Sequence, residues 1–156
     1  ALGLRQLLSD DEPEVVHGAL TALALIGEAE DAGRLASFLQ DGRALLREAA
    51  AAGLGRMGAV AHEAIAGRFS AKAPRERALA ALAAAQSSDP ATLNLLERAF
   101  ADRDASVRAT AVRALNAVQE PHKPLRAAFK PKLEKLAASD KDKDVRALAA
   151  RALRAL

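Results

Sequence analysis

Apolar and small residues recur along this chain at spacings that predict amphipathic helices. Measured from Val107 they stand four, seven, eight and eleven positions on, and the same offsets recur from Val145. At about 100° per residue, these offsets fall on one face of a helix. The same template fits three further segments, which start at Val15, Leu46 and Pro74. The pattern therefore predicts five amphipathic helices, which we call B helices.

A shorter apolar-periodic stretch precedes each B helix and predicts a second helix, the A helix, in every unit. The apolar residues of these stretches are Leu4, Leu7 and Leu8; Leu35, Phe38 and Leu39; Ile65 and Phe69; Leu93, Leu96 and Phe100; and Leu125, Phe129, Leu133 and Leu136. The unit is thus a helical hairpin. A stack of hairpins can bury the apolar faces that a single hairpin leaves open.

Glycine and proline mark several helix ends. Gly27 and Gly58 stand where B helices should end, and Asp89-Pro90 is typical of a helix start. Pro131 falls inside the last A helix. We expect it to kink that helix, because proline lacks the N–H that the carbonyl of Ala127 would accept.

A polar pattern accompanies the apolar one. Five residues before the template start stand Asp10, Asp41, Asp102 and Asp140, and one residue after it stand Arg47, Arg75, Arg108 and Arg146. The carboxylate falls in the turn between the two helices, where it can cap the B helix or pair with an arginine. Phe69 replaces the aspartate in the third unit, and Val16 replaces the arginine in the first.

This combined motif, Asp-x4-Val-Arg followed by Ala-x2-Ala-Leu, resembles the HEAT repeat. The segments "AGLGRMG" and "RALAARAL" resemble the HEAT-like units of the phycobilisome-lyase repeat family. The resemblance covers the whole chain and implies an all-α fold, a right-handed α-solenoid of about five helical hairpins. The approximate units of this single domain are 1–28, 29–58, 59–87, 88–119 and 120–156. The resemblance also implies a structural ladder between repeats, formed by Asp41, Arg47, Arg75, Asp102, Arg108, Asp140 and Arg146.

The resemblance further implies that the B helices line the concave side of the solenoid. The B-helix positions opposite the apolar face are His17, Thr21 and Ala24; Glu48, Ala52 and Gly55; Glu76, Ala80 and Ala83; Ala109, Arg113 and Asn116; and Ala147, Arg151 and Arg154. Small residues dominate the middle of this set and predict a smooth groove floor, which suits a partner helix or an extended peptide. The candidate partner-binding residues are the polar ones: Glu48, Glu76, Arg113, Asn116, Arg151 and Arg154. Arginine forks there suit carboxylates on an acidic or amphipathic partner.

Composition and charge narrow the classes of function. The chain has no cysteine, which excludes disulfides and thiolate metal sites. No apolar run approaches the roughly 20 residues that a membrane helix needs, and we expect a cytoplasmic protein with no membrane contact. Residues 121–156 hold ten Lys or Arg and four Asp or Glu, a net charge of +6. This charge concerns the choice of partner and not the fold.

Motifs that suggest chemistry have simpler explanations in helices. "GLGRMG" contains Gly53, Gly55 and Gly58 at dinucleotide-fingerprint spacing, but it closes a helix and no strand precedes it. "HEAIA" at 62–66 lacks the second histidine of a metalloprotease helix. The three histidines fall in different units, and no serine has a paired histidine and acid. We therefore predict no enzyme activity, no cofactor and no metal.

The leading hypothesis from the sequence is a non-catalytic protein–protein interaction or scaffold module. The first alternative is nucleic-acid binding through the basic C-terminal half, although the groove positions include no aromatic side chain for base stacking. The second is a bilin lyase-like activity, which rests on fold-level analogy alone.

Leu153 and Leu156 continue the apolar face to the last residue. We therefore expect a further repeat, a partner or a second copy to cover that end.

Overall fold

The structure is a computed structural model that describes residues 1–118, 120 and 122–156. All regular secondary structure in these residues is helical. The B helices are α2 (Pro13–Ile26), α4 (Ala44–Arg56), α6 (Pro74–Ala85), α9 (Ala105–Ala114) and α11 (Lys143–Arg154). The A helices are α1 (Leu2–Leu7), α3 (Ala29–Ser37), α5 (His62–Arg68), α7 (Pro90–Leu93), α8 (Leu96–Phe100) and α10 (Lys130–Ser139). Short 3₁₀ segments span Phe38–Gln40, Gly58–Ala61, Leu115–Ala117 and Lys123–Phe129.

The helices stack as an α-solenoid, which confirms the predicted all-α fold class. Apart from α7, which packs on α5 and α6, each A helix packs on the B helix that follows it, and each B helix packs on the next B helix along the chain. The division into five units stays a prediction, and its boundary at residue 119 lies outside the described residues. Among the described residues, no helix is long and apolar enough to cross a membrane.

Glycine and aspartate residues lie at helix ends where the sequence predicts them. Gly27, with φ of 74°, ends α2, and Gly58, with φ of 59°, follows α4. Both angles lie in the left-handed region, which glycine adopts without the steric cost of a Cβ. Asp89 caps α7 by accepting a hydrogen bond of 2.9 Å from the Thr92 N–H. These three predictions are confirmed.

The expectation for Pro131 is wrong. Residues Lys123–Phe129 form a 3₁₀ segment, and α10 begins at Lys130 with Pro131 in its first turn. An N–H in the first turn has no partner within its helix, so proline costs nothing there and its fixed φ suits a helix start. The proline therefore initiates α10 and does not kink it.

The template is misplaced in the third unit. The third residue of three B helices faces the core and is buried: Leu46 in α4, Val107 in α9 and Val145 in α11. In α6 the third residue is Glu76, so a template placed at Pro74 is offset by two residues. Alanine makes up half of α6, and the apolar pattern therefore fits two registers equally well.

The first unit also departs from the template. Val15 is 36% exposed and Ile26 is 49% exposed, whereas Val16 is fully buried with Leu20 and Leu23. The preceding A helix, α1, has only six residues and covers little of α2. The buried face of α2 is therefore turned toward α4, its larger neighbour.

One continuous apolar core runs through the stack. Its largest fully buried side chains are Leu20, Leu23, Leu35, Leu39, Leu46, Leu54, Ile65, Leu93, Leu96, Leu115, Phe129 and Leu133. The rings of Phe100 and Phe129 lie 5.7 Å apart between centroids and tie the fourth unit to the fifth. Each B helix thus joins its own hairpin to the next, which fixes where its exposed residues lie.

Candidate partner-binding surface

The B helices contact one another more extensively than the A helices do. Helices α2, α4, α6, α9 and α11 make extensive contacts in series, whereas contacts between successive A helices are sparse. The B helices therefore form a continuous row along the stack, and its position on the concave side stays a prediction.

Two glycines of α4 show how closely its neighbouring helices approach it. A Cβ on Gly55 would lie 2.7 Å from Cβ of Gln86 and 2.9 Å from the carbonyl oxygen of Ala83. A Cβ on Gly53 would lie 2.8 Å from Cδ2 of Leu35. Both positions need glycine because neighbouring helices occupy the space that a side chain requires. The "GLGRMG" segment is therefore a helix-packing element.

The prediction that small residues form a smooth floor of the groove is largely wrong. Five of its small residues are buried between helices: Ala24, Gly55, Ala80, Ala83 and Ala109. They face neighbouring B helices and not the groove, because close B-helix packing covers one side of each helix. In the third unit the groove positions move with the corrected register to Ala78 and Leu82, which are half-buried.

Five of the six candidate partner-binding residues are exposed on B helices or the turn that follows them. They are Glu48, Arg113, Asn116, Arg151 and Arg154. Glu76 is the exception, because it occupies the core-facing position of α6. It is 7% exposed, and its carboxylate accepts a hydrogen bond of 2.8 Å from Arg68. Glu76 is therefore an internal ion-pair partner, and its assignment to the groove is wrong.

Three of the exposed candidates meet around one pocket of about 320 Å³ between α9 and α11. Arg113, Asn116 and Arg151 form its polar part. The apolar part consists of Val112, Leu148, Ala152 and Ala155. We call these seven residues the C-terminal pocket.

The charges of the C-terminal pocket are not neutralised from within. In the described part of the chain, no carboxylate pairs with Arg113, Arg151 or Arg154. Asn116 Oδ1 accepts a hydrogen bond of 3.2 Å from Nη2 of Arg126, which adds a further guanidinium beside the pocket. The Nε of Arg126 is buried and has no hydrogen-bond partner among the described residues. The pocket thus offers an apolar surface with several hydrogen-bond donors and an excess of positive charge.

Two ion pairs link successive repeats on the side of the A-to-B turns, and we call each of them a rung. Arg77 donates to both oxygens of Asp102 at 2.7 and 3.0 Å, and Arg108 donates to both oxygens of Asp140 at 2.7 and 2.8 Å. The Arg77 side chain is 4% exposed and that of Asp102 is 9% exposed. Bidentate pairs of this kind are directional and strong.

The rungs shift the acidity of their carboxylates. Hydrogen bonds from Arg108 lower the pKa of Asp140. Burial acts to raise the pKa of Asp102, but the hydrogen bonds from Arg77 and from the backbone N–H of Asp104 outweigh it, and the pKa is lowered. Both carboxylates are therefore held in the charged form that the guanidinium requires.

The prediction that Arg75 belongs to the ladder is wrong. Arg77 forms the rung, whereas Arg75 is exposed, because the register of α6 is two residues later than the template assumed. The residue that corresponds to the turn aspartate in the third unit is accordingly Ala71, and not Phe69. Asp41 pairs with Arg43 of its own turn at 3.0 Å, because the first unit has Val16 where other units have arginine.

Ion pairs also lie between A helices, and they were not predicted from the sequence. Asp31 in α3 is fully buried and accepts a hydrogen bond of 2.7 Å from Nε of Arg5 in α1. Arg5 also pairs with Glu28 and Glu30. A signal was present, because Asp31 lies four residues before Leu35 on the apolar face of its helix.

One polar chain contains a histidine, a hydroxyl and a carboxylate. Thr92 donates its hydroxyl to Asp89 at 2.6 Å, and Nδ1 of His62 lies 3.0 Å from the same Thr92 oxygen. The threonine proton already goes to the carboxylate, and Thr92 is fully buried. The arrangement therefore caps α7 and cannot present an activated nucleophile to a substrate.

Together, the stacked hairpins and the continuous row of B helices define a helical-repeat protein. A family model described as HEAT repeats matches residues 61–154, more than half of the chain. The chain belongs to the HEAT-repeat family. That model does not distinguish the phycobilisome-lyase type of repeat, which stays a prediction.

Solved structures show the same fold. A crystal structure of computationally designed armadillo repeat proteins for modular peptide recognition superposes with a TM-score of 0.51. The sequences are 20% identical, and the alignment covers 98% of this chain and 80% of the designed one. No curated protein matches the chain in sequence.

Proposed function

We propose that this chain is a non-catalytic protein-interaction module that binds an acidic segment of a partner along its fourth and fifth B helices. The observation that carries the proposal is the C-terminal pocket, where Arg113 and Arg151 flank an apolar surface and have no carboxylate partner among the described residues. Repeat solenoids commonly use their concave surface in this way. We further propose that the protein is cytoplasmic.

The side chains of the C-terminal pocket favour a partner segment that combines aliphatic and acidic residues. Val112, Leu148, Ala152 and Ala155 offer an apolar surface for one aliphatic side chain. Guanidinium forks bind carboxylates bidentately and so favour Asp or Glu close to that aliphatic residue. Glu48 lies on the second B helix, two repeats away, and favours a basic residue at the other end of the segment.

A labelled acidic peptide that contains leucine tests the proposal by fluorescence anisotropy. The test variant is Arg113→Glu, Arg151→Glu and Arg154→Glu combined. We expect its affinity to fall at least about tenfold, because each lost charge-assisted contact is worth about 1.4 kcal/mol or more.

The matched control reverses three other exposed arginines, Arg56, Arg75 and Arg103, which do not line the pocket. It changes the net charge by the same amount, from +3 to −3. We expect less than about a threefold loss, because charges beyond the Debye length of about 10 Å are screened. Equal losses in the two triple variants would contradict a defined site and leave only a general charge effect.

Nucleic-acid binding is the second candidate function, and the net charge of +6 over residues 121–156 supports it. A single-stranded oligonucleotide replaces the peptide in the same assay at low and moderate salt. Phosphate-driven binding falls steeply with salt, whereas a peptide anchored by an aliphatic side chain is less sensitive. Oligonucleotide binding tighter than peptide binding at moderate salt would favour this second function.

A further inference from the structure

Each rung consists of two halves, and each half is held in place within its own repeat. Nη1 of Arg108 donates to the carbonyl of Asp102 at 2.9 Å, which leaves Nε and Nη2 for Asp140 in the next repeat. Asp140 is held by its own turn, because it accepts a hydrogen bond of 2.9 Å from the Asp142 N–H. A rung therefore forms where an anchored arginine meets the turn aspartate of the following repeat.

The fifth repeat contains the arginine half of a rung without its aspartate. Nη1 of Arg146 donates to the carbonyls of Asp140 and Lys141 at 2.6 and 3.3 Å, the same anchoring that Arg77 and Arg108 have within their turns. No carboxylate pairs with Arg146 among the described residues. Its Nε and Nη2, the atoms that hold an aspartate in the other two arginines, therefore remain for a carboxylate outside the fifth repeat.

The first repeat contains the aspartate half of a rung without its arginine. Asp10 accepts a hydrogen bond of 2.9 Å from the Glu12 N–H, which is the turn hydrogen bond that Asp102 and Asp140 also accept. In the described part of the chain, no basic side chain pairs with Asp10. The two ends of the stack thus carry the complementary halves of one rung.

Apolar side chains are exposed at the same position of the first and last repeats. Eleven residues after the third residue of each B helix, the inner repeats bury Met57, Ser87 and Val118, which are at most 7% exposed. The corresponding residues at the two ends, Ile26 and Leu156, are 49% and 47% exposed. An inner repeat packs against a repeat on either side, whereas each end of the described stack has one open side. Another helical hairpin would cover it.

The two ends also carry opposite charge. Residues 1–28 hold one Lys or Arg and five Asp or Glu, a net charge of −4, whereas residues 121–156 have a net charge of +6. Opposite charges steer association, and like charges oppose it. The charges therefore favour contact between unlike ends. Because one chain carries both complementary ends, a second copy of the chain satisfies every requirement of the contact.

We infer that copies of this chain associate head to tail, with the fifth repeat of one copy stacked on the first repeat of the next. Arg146 of one copy pairs with Asp10 of the next and completes a rung between them. The contact continues the row of B helices from one copy to the next and covers Ile26 and Leu156. Unlike surfaces of identical chains form a heterologous contact, which leaves one end of each kind open and so extends to further copies unless a ring closes.

Sedimentation velocity of the whole chain, at concentrations from about 10 μM to about 1 mM, tests the inference. We expect the weight-average mass to rise with concentration from 16.3 kDa to more than that of two copies. The rise should be smaller at high salt, because salt screens the attraction between the two ends. A mass that stays at 16.3 kDa at every concentration, or that levels off at two copies, would overturn the inference.

Two charge reversals provide a complementation test. Arg146→Asp and Asp10→Arg each place like charges at the contact, so each variant alone should associate at least about tenfold more weakly than the wild type. In a mixture, Arg146 of the Asp10→Arg chain can pair with Asp10 of the Arg146→Asp chain, and association should return. Mixing cannot repair a defect in folding, which far-ultraviolet circular dichroism of each variant measures separately. Failure of the mixture of folded variants to associate would contradict the pairing.

Asp11→Arg is the matched control, because Asp11 is exposed in the same turn and the substitution changes the net charge by the same amount. Asp11 does not occupy the rung position, and we expect less than about a threefold loss, since exposed charges contribute little. Arg113→Glu reverses a charge of the C-terminal pocket and should leave self-association unchanged. Losses in either control as large as those in Asp10→Arg would overturn the assignment of the contact to Arg146 and Asp10.

Discussion

Replacing Asp102 by asparagine tests whether the rungs hold successive repeats together. The carboxylate of Asp102 accepts hydrogen bonds from Arg77 at 2.7 and 3.0 Å and from the Asp104 N–H at 2.8 Å. Asparagine keeps the size of the side chain and one acceptor oxygen, so the turn hydrogen bond can survive. The buried guanidinium of Arg77, however, loses its counter-charge.

The contacts of Arg77 determine how much stability Asp102→Asn is expected to lose. Hydrogen bonds to charged groups contribute about 1.5–3 kcal/mol each, and removing one partner of a buried pair costs more than an exposed pair contributes. Arg77 keeps its bonds to the carbonyls of Ala71 and Lys72, which limits the loss. We therefore expect Asp102→Asn to lower the free energy of unfolding by about 2–3 kcal/mol. For a chain of this size, that loss lowers Tm by about 4–12 °C.

Asp41→Asn is the matched control. Asp41 accepts the same turn hydrogen bond, from the Arg43 N–H at 2.8 Å, but its ion pair is with the 43% exposed side chain of Arg43. Exposed pairs contribute about 0–1 kcal/mol, so this variant should be nearly neutral. Urea denaturation followed by far-ultraviolet circular dichroism measures both, because the chain has no Trp and no Tyr for fluorescence. Equal losses in the two variants would show that the turn, and not the rung, carries the stability.

Two further predictions concern helix packing and pH. Gly55→Ala should destabilise the fold by about 1–3 kcal/mol, because its Cβ would lie 2.9 Å from the carbonyl oxygen of Ala83. Gly18→Ala, also within a B helix but in open space, should stabilise it by up to about 1 kcal/mol, and thermal unfolding compares the two. The lowered pKa values of Asp102 and Asp140 contribute stability that is complete above the unfolded value of about 4 and is lost as pH falls through the folded values. Acid titration of the free energy of unfolding should therefore show a smaller loss in Asp102→Asn than in the wild type, and an unchanged loss would contradict this origin.

The sequence predicted the architecture well because two independent signals agree in most units. In α4, α9 and α11 the apolar face begins at Leu46, Val107 and Val145, and each is followed at once by an arginine. In α6 the buried anchor is the charged Glu76, and alanine on all sides of the helix removes the contrast between faces. The register there depends on tertiary contacts, which a pattern of apolar residues cannot supply.

The candidate site was predicted only in part for a related reason. The exposed arginines of α9 and α11 follow from helical periodicity alone. Burial of Ala109 and Gly55 depends on how closely neighbouring B helices approach, and that distance is a property of the stack. The pairing of Arg5 with Asp31 likewise joins residues 26 positions apart, beyond the reach of local patterns.

The most direct test of the proposed function is site-specific photo-crosslinking to the labelled acidic peptide. A benzoylphenylalanine replaces Asn116, which lines the C-terminal pocket, or Ala138, which is exposed on the A helix α10. We predict a crosslink from position 116 that excess unlabelled peptide abolishes, and little or none from position 138. Equal crosslinking at the two positions, or crosslinking at position 138 alone, would contradict binding along the fourth and fifth B helices.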